Sequence, residues 1–204
     1  MPAGNEPYFI VVMTGQLAWQ LFANALGNTS GSLVGSAHLI SKVYFPRLVV
    51  PLSTLLVALI DFAVTLVILV GLMVWYFYVP GWQILLLPFF LALALLAGLG
   101  PALWAAAVIV QYRDFRFLIP FGLQFGLYVS PVGFSSSVVP EKWRLLYSIN
   151  PVVGVIDGFR WCIIGGDSPI YWPGFLLSLG VVVFFLWLGI RTFRNTERGF
   201  ADLA

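Results

Sequence analysis

The sequence predicts an all-α integral membrane protein with about five transmembrane helices and short re-entrant helices on the outer side. Three observations predict it. Apolar residues make up 61% of the 204 and charged residues 9%, where a soluble domain carries about 25% charged residues. Mean hydropathy is +0.99, and the apolar residues are gathered in runs of about 20 or more, the length that crosses a bilayer core. The basic residues fall unevenly between the loops that join those runs, as insertion in one orientation requires.

In chain order, the first span is expected at roughly 8–26, apolar at its start and turning polar at "NTSGSLVGS". Further spans are expected at roughly 48–78, 82–110, 117–138 and 171–190. Between the last two lies "PEKWRLLYSINPVVGVIDGFRWCIIGG", amphipathic and broken by Pro140, Pro151, Gly154 and Gly158. It is too interrupted for an ordinary span, and irregular backbone at membrane depth has to be shielded by protein. A pair of short re-entrant or surface helices is the expectation there.

If the first span runs outside to inside, Lys42, Arg47, Arg113, Arg116, Arg191, Arg194 and Arg198 lie inside, and Lys142, Arg144 and Arg160 lie outside. That agrees with the positive-inside rule, and the reverse orientation violates it. The carboxy terminus is then cytoplasmic and the amino terminus external. "MPAGNEPYF" has no basic n-region of a signal peptide, so an upstream cytoplasmic segment and span are expected to precede it.

Several functions are excluded. A net charge of +2 is too small to argue for nucleic acid, and a single cysteine, Cys162, permits no internal disulfide. His38 and Cys162 alone cannot build a Cys/His metal cage. No nucleophile, acid and base constellation is present, so no catalytic residue is assigned. Nor is there a G-x-x-x-x-G-K-[ST] loop, so any ATP-driven movement needs a second polypeptide.

Five features carry functional weight. Gly27, Gly31 and Gly35 recur every four residues near Asn24, Asn28 and Ser32. Such a small-residue stripe lets helices approach closely; packing within one subunit is the first reading, a dimer seam or polar pathway wall the second. Asp61 is an acid within a span, which is costly and calls for a polar partner or cavity. With no second acid or histidine to relay a proton, a hydrogen bond to a neighbouring helix is favoured over proton coupling. Phe117, Phe121, Phe125 and Tyr128, bordered by Gln124, form one helical stripe, either lipid-facing or a surface on which sugar rings stack. Trp143, Trp161, Tyr171 and Trp172 fit an aromatic belt at the outer interface.

The fifth feature is "LISKVYFPRLVVPLS". Pro46 ends any preceding helix, and Pro51 falls in the first turns of the next span, where proline is tolerated. The product is a rigid elbow at the first cytoplasmic crossing, presenting Leu39, Ile40, Ser41, Lys42, Tyr44, Phe45, Pro46 and Arg47. A snorkelling, positively charged loop is one reading; two aromatics and two prolines in so short a loop suggest a docking knob for a cytosolic partner.

"SLVGSAHLISKVYFPRLVVPLSTLLVALIDF", "YRDFRFLIPFGLQFGLYVSPVGFS", "INPVVGVIDGFRW" and "RTFRNTERGFADLA" together resemble the permease subunit of polysaccharide ABC exporters, the ABC-2 type that exports O-antigen, teichoic acid or capsule. The resemblance runs along the whole chain and implies a single transmembrane domain over 1–204, amino-terminally truncated because the family's interface helix and first span are not seen. It implies a multi-pass protein of the bacterial cytoplasmic membrane, a homodimer, and a lipid-linked polysaccharide as cargo. It also implies a separate ABC ATPase, which binds ATP and magnesium while the permease holds no cofactor or metal. Residues Leu39 to Arg47 would be the coupling helix received by that ATPase, and Arg113, Asp114 and Arg116 a second, weaker cytoplasmic contact. The stripe of Phe117, Phe121, Gln124, Phe125 and Tyr128 would line the pathway at the dimer interface, and residues 143–165 would form an outer re-entrant pair. An ABC-2 permease for a drug or lipid is the nearest alternative; a passive channel or scaffold is the alternative from another class.

Overall fold

The computed structural model describes residues 8–35, 48–165 and 170–197. Those residues build seven α-helices joined by short 3-10 turns, and no strand is found among them. Helix α1 is Tyr8–Gly35, α2 Val49–Trp75, α3 Leu87–Gln111, α4 Leu118–Val129, α5 Glu141–Tyr147, α6 Pro151–Ile164 and α7 Trp172–Glu197. With the 3-10 turn Trp82–Leu86 leading into α3, the segments Tyr8–Gly35, Val49–Trp75, Trp82–Gln111 and Trp172–Thr196 are long and apolar enough to cross a membrane. The first helix runs well past the polar "NTSGS" that marked its expected limit. Ser30 and Ser32 turn their hydroxyls onto carbonyls of the preceding turn, at 2.9 and 2.7 Å, so polarity does not end the helix.

Helix α3 is the hub, packed against α1 on one side and α7 on the other. Its buried residues are mostly small: Ala94, Ala97, Gly98, Ala102, Ala105, Ala106 and Ala107. Between helices in lipid, close van der Waals approach takes the place of hydrophobic drive, and these residues permit it. The tightest crossing is with α7, where a Cβ on Gly100 would stand 2.7 Å from Leu186 N and one on Gly189 would strike the Gly100 carbonyl. Only glycine fits at either position. Pro101 sits inside α3, one residue from that crossing, where neighbouring helices shield the freed backbone.

One end of the bundle is sealed by Leu33, Leu99, Leu103, Ala106 and Phe193, joined by Leu48 and Val110. The exits of α1, α3 and α7 and the entry of α2 therefore share that end, and Arg113, Arg116, Arg191 and Arg194 belong to it. At the opposite end the Tyr78 hydroxyl donates to the Ile164 carbonyl at 2.6 Å, and Trp82 meets Trp161 edge-on at 6.2 Å. Lys142, Arg144 and Arg160 belong there. The described basic residues thus segregate by end, in the two groups expected for insertion in one orientation.

The span expected at 117–138 takes a different form. A 3-10 turn, Arg113–Phe117, is followed by only 12 residues of α-helix, or ~18 Å at 1.5 Å per residue. Pro131 is the cause: the residue before it is pushed out of the α region, and Ser130 is extended at φ −88°, ψ 151°. Helices α5 and α6 then form the expected outer pair, the second started by Asn150, whose side chain accepts from the Val152 N–H at 3.1 Å. Proline at the first position of α6 costs no hydrogen bond.

Candidate translocation surface

Helix α1 is the element that brings the candidate residues together. Its back packs on α3 and α6, and its flanks meet α2 and α4. On the α2 flank, Asn24 Nδ2 donates to Asp61 Oδ2 at 2.9 Å. One turn or more further along, the Thr29 and Thr54 hydroxyls meet at 2.7 Å. Asp61, at the middle of α2, therefore has a polar partner on a neighbouring helix, and no relay of acids or histidines surrounds it among the described residues. On the α4 flank, a Cβ on Gly126 would stand 2.9 Å from the Trp19 ring, and one on Gly27 would touch Leu123 at 3.6 Å.

Asn24 does not stand alone. Gln16 Nε2 donates to Gln20 Oε1 at 3.5 Å, and Gln20 Nε2 donates to Asn24 Oδ1 at 3.3 Å. Gln16, Gln20, Asn24 and Asp61 form a hydrogen-bonded ladder, in which Gln20 and Asp61 are exposed. It covers about 12 Å of α1. The four-residue spacing of Gln16, Gln20 and Asn24 was visible in the sequence, yet only the crossing with α2 reveals that the row continues into Asp61. Gly31 and Gly35 extend the same side of α1, where an added Cβ would meet no described residue within 4 Å. Among the described residues the glycine stripe therefore serves packing within the subunit at Gly27 and not beyond it.

The aromatic stripe is also where spacing placed it. Leu123 and Leu127 turn toward the core, which leaves Phe117, Phe121, Gln124, Phe125 and Tyr128 exposed on the other side of α4 and its leading turn. Arg116 stacks over Phe117 at 4.7 Å. Arg113, Asp114 and Arg116 are all exposed at the sealed end, while Phe115 packs on Trp104 at 5.7 Å and holds the turn in place. The elbow residues Leu39, Ile40, Ser41, Lys42, Tyr44, Phe45, Pro46 and Arg47 lie outside the described residues.

At the opposite end the break after α4 creates a problem that one side chain solves. Carbonyls in the irregular stretch that follows Pro131 have no helical partner. The Arg160 guanidinium reaches them from α6, donating to Val132 O at 2.8 Å and Phe134 O at 2.7 Å. Gly15 on α1 makes room, since a Cβ there would stand 2.5 Å from Val132 O. Arg160 is 2% exposed; it is a backbone clamp. The Tyr147 hydroxyl donates to Val129 O at 2.7 Å, Asn150 Nδ2 donates to Ser130 Oγ at 3.0 Å, and Ser178 Oγ donates to Ser148 O at 2.8 Å. These bonds tie α4, α5, α6 and α7 into one outer cap.

Asp157 lies in that cap beside Ser136, Arg144 and Tyr147, around a cavity of about 10 Å³. That volume admits no sugar ring. Burial pushes the Asp157 carboxyl above the usual carboxylate range, against the pull of Ser136, Arg160 and Arg144. Of the outer aromatics, Trp143 and Trp172 are exposed as a belt requires. Trp161 and Tyr171 are half-buried and engaged, the second under Arg144 at 4.6 Å.

Comparison with known proteins agrees with this architecture. The O-antigen export system permease protein RfbA of Klebsiella pneumoniae is 24% identical over 206 residues, covering 96% of this chain and 75% of that protein. RfbA of Myxococcus xanthus is 26% identical over 201 residues, covering 97% and 76%. The inner membrane transport permease YadH of Escherichia coli K12 is 25% identical over 189 residues, covering 88% and 72%. The profile of the ABC-2 type transporter family matches residues 5–164. Four membrane-crossing helices, a broken fifth and that match together place the chain in the ABC-2 type transporter family, as a multi-pass membrane permease.

Proposed function

We propose that this chain is the membrane subunit of an ATP-driven exporter that moves lipid-linked polysaccharide across a bacterial cytoplasmic membrane, acting as a homodimer with two copies of a separate ATPase. One observation carries the reading: an exposed aromatic face on α4 flanks the helix that presents an exposed ladder of amides at membrane depth. Lipid tails have no use for hydrogen-bonding amides, and unmet polar groups in hydrocarbon are costly. A sugar polymer uses both surfaces, its ring faces on the aromatics and its hydroxyls on the amides. The printed names of the RfbA relatives support the same cargo.

In this reading ATP and magnesium are held by the ATPase, and the permease needs neither cofactor nor metal. Closure of the ATPase on nucleotide presses on the elbow from Leu39 to Arg47 and on Arg113, Asp114 and Arg116. The elbow passes that push to α1 and α2, which it joins, and the Asn24–Asp61 and Thr29–Thr54 bonds make the two helices move together. The outer cap, clamped by Arg160, keeps the far end shut between polymers.

The test is deletion of the gene in its host, with surface polysaccharide and inner-leaflet lipid-linked polymer both measured. Surface polymer falls, precursor accumulates, and a tagged copy restores export and co-purifies an ATPase. Unchanged surface polymer contradicts the proposal.

A further inference from the structure

Resting on that reading, we infer from the Gln16–Gln20–Asn24–Asp61 ladder that the cargo is an uncharged, hydroxyl-rich glycan and not a polyanion such as a polyol-phosphate or uronic acid polymer. Each amide of the ladder offers a donor and an acceptor, the pairing a sugar hydroxyl also offers. A phosphate or carboxylate, which only accepts, satisfies half of it. Charge points the same way. Among the described residues, α1, α2 and α4 carry no lysine or arginine, and Asp61 is their one charged side chain. Of the arginines, the side chain suited to recognising phosphate or carboxylate, Arg160 is spent on two backbone carbonyls, and the exposed Arg113 and Arg116 stand at the sealed end, before α4 begins. An anionic chain would pass a carboxylate at mid-membrane, twice over in a dimer, with no cation beside it. A neutral chain meets no such barrier, and Asp61 accepts from its hydroxyls. A second copy of this chain is the weaker occupant. Its surface there would repeat the same amides around a second carboxylate, setting two like charges close together where screening is poor.

The experiment uses the whole transporter in its host membrane, with Gln20→Cys as a reporter in the ladder; the chain's own Cys162 is buried, and the parent serves as blank. Cationic and anionic methanethiosulfonate reagents are compared, each normalised to its rate with a free thiol in water. The cationic reagent should react at least about tenfold faster, and adding Asp61→Asn, which retains an acceptor for Asn24, should bring the ratio toward one. Equal rates, no reaction from water, or spontaneous disulfide formation between two copies each overturn the inference, the last in favour of a dimer seam. In parallel, the polymer lost on gene deletion is passed over an anion exchanger. An unretained polymer supports the inference. A retained one overturns it and leaves the export reading standing, whereas loss of no polymer removes the export reading itself.

Discussion

Arg160 shows what a single side chain decides in this protein. It is buried, yet its guanidinium supplies the partners that two carbonyls in the irregular stretch after Pro131 lack. A hydrogen bond to a charged group contributes about 1.5–3 kcal/mol, and losing one partner leaves the other desolvated and unpaired. Arg160→Met should therefore lower stability by about 3 kcal/mol, read as a drop in thermal midpoint in detergent, with Arg160→Lys recovering part. Equal midpoints for Met and parent would contradict the clamp. Asp157, beside it, adds a pH dependence. Its carboxyl holds its proton more tightly in the fold than in the unfolded chain, where the ordinary value is 3.8. That group favours the fold at acid pH, and the advantage fades as pH rises from about that value through its raised one. The midpoint of the parent relative to Asp157→Asn should accordingly rise on acidification from pH 7 toward pH 4; a constant difference would refute it.

At the scale of elements, the crossing of α3 and α7 tests the packing account. Gly100→Val would drive a side chain into the α7 backbone at a place where Leu186 N is already 2.7 Å from the first added carbon. The backbone cannot step aside, so the cost should exceed the 1–3 kcal/mol typical of overpacking, and the variant should be lost from the membrane fraction, whereas Gly180→Val, open to its surroundings, should accumulate normally. The long spans were legible in the sequence because apolar length alone specifies them. The extent of α1 was not, since Ser30 and Ser32 conceal their polarity in bonds to their own helix. The break in α4 was written in Pro131 but outweighed by the apolar run around it. The aromatic stripe was legible because Phe117, Phe121, Phe125 and Tyr128 lie three or four apart on one helix face. The ladder was only half legible: Gln16, Gln20 and Asn24 share a spacing, but Asp61 joins them through a crossing between helices distant in sequence. Long-range pairings of that kind leave no periodicity to read.

For the molecule as a whole, two faces follow from how the helices are shared out. Helix α3 is enclosed by α1, α6 and α7, which makes a rigid block. Helices α2 and α4 hang on the sides of α1 and keep most of their surface outward. On α2 that surface is aliphatic and suits lipid; on α4 it is aromatic, and α4 packs on the helix that carries the amide ladder. In the proposed function the second face meets the polymer. Phe121 on α4 and Val67 on α2 are equally exposed, both 71%, so exposure alone cannot separate them. A photoreactive phenylalanine analogue placed at either position, in cells whose ATPase partner is stalled during export, measures the difference directly. A cross-link to glycan is expected at Phe121 and one to lipid at Val67. Lipid at both positions would contradict it.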